Sequence, residues 1–157
     1  MTPRRAPTRS PRKRPQAPLR LTVQIDGGSR GNPGPSAAGI VLTTDDGTVV
    51  HEAGLYLGRA TNNVAEYRAL VAGLQAAKTL GAAQVEVLSD SELLVRQMNG
   101  EYRVKNPGLR PLYEQACRLT DAFAACSFRH IRREDNRLAD RLVNQALDRH
   151  GNTDGQD

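Results

Sequence analysis

The sequence predicts an α/β fold built on a five-stranded mixed sheet, in which a three-strand antiparallel meander is extended by two parallel strands and flanked by helices. Three observations carry that expectation. Three β-rich segments follow one another between residues 21 and 57 with only short turn-forming links between them. From residue 61 onward, helical periodicity alternates with short apolar runs, the pattern of strands joined by helical crossovers. Two acids, Asp26 and Asp90, close predicted strands, and in open α/β sheets ligands collect at the carboxyl ends of strands near a switch in strand order.

Each element has its own justification. Leu21, Val23 and Ile25 alternate with Thr22 and Gln24, a period of two that gives a strand ending at Asp26. Residues 27–36, GGSRGNPGPS, read as a turn by composition. Residues 37–44 and 48–57 are β-rich and separated by Asp45-Asp46-Gly47, which completes the meander. Thr61, Asn62 or Asn63 can cap a helix whose apolar face is Tyr67, Leu70, Val71, Leu74 and Ala77, and Gly81 ends it. The apolar run 84–89 fits a buried parallel strand. A two-turn helix over 92–98 stops at Asn99-Gly100, and Asn106-Pro107-Gly108 marks 101–108 as a loop. A helix over 109–124, a strand over 126–131 and a helix over 136–149 follow, the last with Ala139, Leu142, Val143, Ala146 and Leu147 on one face.

The chain has 157 residues, enough for one domain with its own core, and a formal net charge of +5. That charge is unevenly placed. Residues 1–20 contain Arg4, Arg5, Arg9, Arg12, Lys13, Arg14, Arg20 and no acid, leaving 15 basic against 17 acidic side chains in the remainder. The organisation expected is a disordered basic Pro/Arg-rich tail at 1–19, one folded domain at 20–150 and a disordered C-terminal tail at 151–157. The N-terminal tail is read as a solvated extension; the sharper alternative is a tether adding non-specific phosphate affinity. No apolar run is long enough to span a membrane and no apolar segment follows the basic N-terminus, so a cytoplasmic protein is expected. Cys117 and Cys126 lack CxxC spacing and read as free thiols.

The chemistry rests on acids. If Asp26, Glu66, Asp90 and Asp140 converge, four carboxylates repel one another, and some of their pKa values rise unless a cation compensates. Hard oxygen donors select Mg²⁺ or Mn²⁺ over zinc, and two such ions are an established arrangement for in-line attack on a phosphodiester. Singly, Glu66 and Asp140 are equally explained as acids near helix starts, where the dipole favours them.

Taken in order, Asp26-Gly27-Gly28-Ser29-Arg30-Gly31-Asn32-Pro33-Gly34-Pro35, Thr61-Asn62-Asn63-Val64-Ala65-Glu66, Ser89-Asp90-Ser91-Glu92 and Asn136-Arg137-Leu138-Ala139-Asp140 resemble the motifs of type 1 ribonuclease H over about residues 20–150. The resemblance implies the ribonuclease H-like fold and an endoribonuclease that cleaves the RNA strand of RNA/DNA hybrids, leaving 3′-hydroxyl and 5′-phosphate ends. It further implies two Mg²⁺ ions, replaceable by Mn²⁺, held by Asp26, Glu66, Asp90 and Asp140. For substrate it implies Gly27, Gly28, Ser29 and Ser91 beside the metals and Asn62 and Asn63 in the minor groove. Arg59 and Thr61, with Asn32 and Asn106, match the family's pocket for a DNA-strand phosphate. Gly27 and Gly28 are expected to let the backbone approach the 2′-hydroxyl closely. A monomer with no membrane partner is expected.

Two departures from the better-known bacterial pattern stand out. The interval 100–107, Gly100 to Pro107, is too short for the basic Trp-rich protrusion of many members, and the chain has no Trp. The segment Ser127 to Asn136 matches the shorter, archaeal-like form, which places His130 in a strand as a structural residue. Glu134 is then the preferred auxiliary candidate for metal exchange, while His51 and His150 receive no role.

Overall fold

The computed structural model describes residues 18–152. The expectations for the basic tail over 1–17 and for residues 153–157 lie outside the described residues. Five strands, β1 (Arg20–Ser29), β2 (Gly34–Thr43), β3 (Val49–Ala60), β4 (Gln84–Ser89) and β5 (Ala125–His130), form one sheet in the order β3-β2-β1-β4-β5. β1 is antiparallel to β2 and parallel to β4, and β4 is parallel to β5, so strand order switches around the central β1. The helices are α1 (Asn62–Thr79), α2 (Glu92–Met98), α3 (Arg110–Thr120) and α4 (Arg137–Arg149), with a 3₁₀ turn at Arg133–Asp135 ahead of α4.

Alternation along the strands divides the core in two. Val23, Ile25, Ile40 and Leu42 face α1, where Tyr67, Leu70 and Leu74 bury the predicted apolar stripe. Ala37 and Val41, pointing the other way from β2, meet Ala139, Leu142, Val143 and Leu147 of α4.

The composition of residues 27–36 misled the sequence expectation of a ten-residue turn. β1 continues through Gly27, Gly28 and Ser29, paired with Ala38, Ala37 and Ser36, and only residues 30–33 turn. The reason lies outside the segment. A Cβ on Gly27 would lie 2.4 Å from the backbone of Ala65 and Glu66, and one on Gly39 2.2 Å from the Ala139 carbonyl oxygen. Glycines here admit helices rather than bends. β3 likewise runs to Ala60, and α3 ends at Thr120, because Ala124 and Ala125 turn their N–H groups to the Ala83 carbonyl as β5 begins.

The Leu19 carbonyl accepts from Ala83 and Gln84, and the Asn152 side chain accepts from the Tyr56 N–H at 2.8 Å. No helix among the described residues is long and apolar enough to cross a membrane.

Candidate active site

The parallel ladder between β1 and β4 ends at Ile25 opposite Ser89, so Asp26, still paired with Gly39 of β2, and Asp90, just past β4, lie side by side beyond its last rung. Glu66 is one turn into α1. Its approach is fixed by Thr61, whose Oγ1 caps the Val64 N–H at 3.2 Å, and by the close passage of α1 over Gly27. Asp140 is one turn into α4, on the opposite face of the sheet, where Asp26 and Gly28 point. All four acids line one open cleft with Gly28, Ser29 and Asn62.

The electrostatics show how close these groups are. Burial, followed by repulsion from Asp90 and Asp140, pushes the Asp26 carboxyl up to about 8, and Asp140 lies within hydrogen-bonding reach of it. Burial pushes Glu66 up to about 7 against a hydrogen bond from Ser91, with Asp90 adding repulsion. Asp90 is raised by burial, while hydrogen bonding from Asn136 and the charges of Arg133 and His130 pull it down. Among the described residues no three His, Cys, Asp or Glu side chains are drawn together tightly enough to cage an ion as they stand, and like-charge repulsion opposes that approach. The donors nevertheless suit a hard divalent cation. They are all carboxylate oxygens, and the rise in Asp26 and Glu66 is the electrostatic cost that a bound cation offsets.

The remaining sequence-predicted residues divide among three places. Asn62 lines the acid cleft; its Oδ1 accepts from the Ser29 N–H at 2.8 Å, which leaves its amino group as the donor to the cleft. Ser29 hydroxyl bonds to the Ala60 and Gly31 carbonyls close the hairpin beneath it. Ser91 caps α2 through the Leu94 N–H and also reaches Glu66. The Asn32 Oδ1 accepts from the Asn62 N–H at 3.1 Å, tying the β1–β2 turn to α1, and Arg59 lies exposed on β3 opposite Pro35. Asn63 and Asn106 are elsewhere. They line a second groove with Leu93, Gln97, Tyr102 and Lys105, where Tyr67 donates to the Gln97 Oε1 at 2.7 Å.

Three roles change. Gly27 and Gly28 both line the cleft; a Cβ on Gly27 would strike the helix that carries Glu66, whereas beside Gly28 only the Val143 side chain is near. From the 3₁₀ turn, Arg133 rather than Glu134 lines the cleft; its Nη2 is 3.8 Å from Asp140, while Glu134 turns toward Arg132 at 3.7 Å. His130, the last residue of β5, is exposed and pairs with Ser89. Sequence reasoning also passed over Arg30, at the cleft edge, which pairs with Asp148 at 2.8 Å and donates to Asn144. Its signal was position alone, four residues beyond Asp26.

The family described as reverse transcriptase-like matches residues 24–146. The ribonuclease H1 of the archaeon Halobacterium salinarum superposes with a TM-score of 0.81 at 45% identity, covering 83% of this chain and 98% of that one. The chain belongs to the type 1 ribonuclease H family. Another ribonuclease H, LC11-RNase H1, solved in complex with an RNA/DNA hybrid, matches at 42% identity and a TM-score of 0.79, again covering 83% and 98% of the two chains. The bifunctional protein Rv2228c of Mycobacterium tuberculosis is 49% identical over 131 residues, 83% of this chain. The chain spans 36% of the length of that relative. Residues 99–109, between α2 and α3, contain no helix.

Proposed function

We propose that the protein is an endoribonuclease that hydrolyses the RNA strand of RNA/DNA hybrids, leaving 3′-hydroxyl and 5′-phosphate ends. The observation that carries this is the meeting of Asp26, Glu66, Asp90 and Asp140, from two strands and two helices, in one cleft at the switch in strand order. These four side chains would hold two Mg²⁺ ions, with Mn²⁺ as a substitute. When bound, such ions activate water for in-line attack and neutralise charge on the phosphodiester.

The chain's own residues do the rest. Ser91 orients Glu66 by a hydrogen bond, and Arg133 keeps a cation beside Asp90 and Asp140. Gly28 leaves room for the RNA backbone, and the Asn62 amino group offers a donor to its minor-groove edge. Ser29 carries that donor on its backbone N–H. Asn63, with Asn106 in the second groove, would take the DNA strand, and Arg59, Thr61 and Asn32 would take a phosphate at the start of α1. We assign the enzyme to the cytoplasm as a monomer, in keeping with free thiols at Cys117 and Cys126.

The deciding experiment compares cleavage of labelled hybrid, RNA duplex, single-stranded RNA and DNA duplex with and without Mg²⁺. Metal-dependent cutting of hybrid alone is expected; metal-independent cutting, or preference for another substrate, rejects the assignment.

A further inference from the structure

Among the described residues Asn136 is the one fully buried amide beside the acid cleft, with none of its surface exposed, and it lies at the entry to α4 without acting as a side-chain cap. A buried amide must place its two donors and its carbonyl or lose their solvation energy. Its Nδ2 donates to the Ile25 carbonyl at 2.8 Å, one residue before Asp26. Its side chain also hydrogen-bonds Asp90. The Oδ1 accepts from the Gln24 Nε2 at 3.4 Å, and that same Nε2 donates to the Asp135 carbonyl at 3.2 Å, so the amide is held in one orientation. On the main chain, the Asn136 carbonyl accepts from the Asp140 N–H at 3.1 Å, the first helical bond of α4.

One residue therefore touches the supports of three acids. It grips β1 beside Asp26, bonds Asp90 directly and starts the helical turn that carries Asp140. Capping does not account for this. A solvent-facing Asn, Asp or Ser would begin the helix equally well, whereas a buried amide aimed at two strands costs desolvation unless the strands need to be fixed relative to α4.

We propose that Asn136 is a positioning residue for the cation site, setting the spacing of Asp26, Asp90 and Asp140 so that the carboxylates can close on a divalent cation. The proposal rests on the metal-dependent reading above. Outer-sphere partners that orient metal ligands commonly govern affinity by about ten- to a hundredfold. Gln24 acts through Asn136 and contributes less.

The test is Mn²⁺ and Mg²⁺ binding to the full chain by titration calorimetry, read with the rise in unfolding temperature that each metal produces and with hybrid cleavage against metal concentration. Asn136→Ala is expected to weaken metal binding about ten- to a hundredfold and to need correspondingly more metal for half-maximal cleavage, with KM for hybrid at saturating metal unchanged. Phe123→Leu, in the core near the opposite end of β5, is the matched destabilised control and should bind metal as wild type does. If Asn136→Ala does not fold, Gln24→Ala decides, with an expected several-fold loss of metal affinity. Wild-type affinity in the folded Asn136 variant, or in Gln24→Ala when it must stand alone, overturns the proposal. An equal loss in Phe123→Leu overturns it too, by making the effect one of general stability. A wild-type protein that binds no divalent metal overturns the catalytic reading together with it.

Discussion

α1 and α4 approach the same short stretch of sheet from opposite faces, and they are held there by different means. α1 lies over Gly27 on a continuous core in which Tyr67, Leu70 and Leu74 pack against β1 and β2. α4 lies over Gly39, the partner of Asp26 in the β1–β2 ladder, on two small clusters supplemented by polar ties. Those ties, Arg30 to Asp148 at 2.8 Å and Asn152 to Tyr56, are at the surface, where ion pairs contribute about 0–1 kcal/mol. Glu66 is thus set by one large continuous core and Asp140 by two smaller apolar clusters with surface polar ties. A site assembled from both faces of the sheet therefore has one wall on the larger core and one wall on two smaller clusters.

The largest effect expected is at the strand between the two walls. Asp26→Asn should reduce hybrid cleavage by roughly a thousandfold or more, since several kcal/mol of transition-state stabilisation depend on the cation site. The same variant should be more stable. The native Asp26 carboxyl is raised from 3.8 to about 8, so the folded state binds its proton more tightly than the unfolded state and loses stability as pH climbs from about 4 to 8. Without metal at pH 8, the unfolding midpoint of Asp26→Asn should rise by several degrees, with little gain at pH 4. An unchanged midpoint at pH 8 would mean that the two walls do not press their charges on Asp26.

Gly27→Ala and Gly39→Ala separate the walls directly. Each puts a methyl group into helix backbone, an overpacking cost of about 1–3 kcal/mol or more. Gly27→Ala should destabilise the whole domain in one cooperative transition, since α1 is continuous with the main core. Gly39→Ala should leave that core protected in hydrogen exchange while α4 loses protection first, and activity with it. Uniform loss of protection in both would erase the distinction.

A smaller effect is expected at the 3₁₀ turn. Arg133→Ala should lower turnover several-fold with little change in stability, because the side chain is 81% exposed yet reaches the acid cleft. Glu134→Ala should do neither, and equal losses at both positions would restore Glu134 as the auxiliary group. Least of all, removing residues 1–17 should leave both walls and the unfolding temperature unchanged. It should raise KM and flatten its salt dependence, because six basic side chains leave with the tail. An unchanged salt slope would reduce the tail to a solvated extension.

Much of this architecture was legible in local pattern. Alternation at 21–25 and the helical stripes of α1 and α4 are local signals, and both stripes are buried as expected. Strand-end placement singled out Asp90 correctly, whereas β1 runs on past Asp26 to Ser29, so Asp26 was picked out by a strand end that the structure moves three residues later. What stayed hidden depended on partners distant in sequence. Gly27 and Gly28 looked like turn residues because nothing nearby reveals a helix crossing 38 residues later, and the motif containing Asn136 gave no hint that its amide faces inward. Arg133 and Glu134 are adjacent, exposed and charged, so only the geometry of the 3₁₀ turn separates the one at the cleft from the one turned away.

Glycines 27 and 39 leave a mark that a mutational library can read. Exchange of Asp26 for its amide removes a charge that burial and its neighbours disfavour, so the chain should still fold and a library selected for solubility alone should let Asp26 drift. At positions 27 and 39 the space beyond Cα is already filled by helix backbone, and the same selection should return glycine. Tolerance maps made under solubility and under cleavage selection would therefore differ at the acids and coincide at these two glycines, sorting positions that build the scaffold from positions that use it.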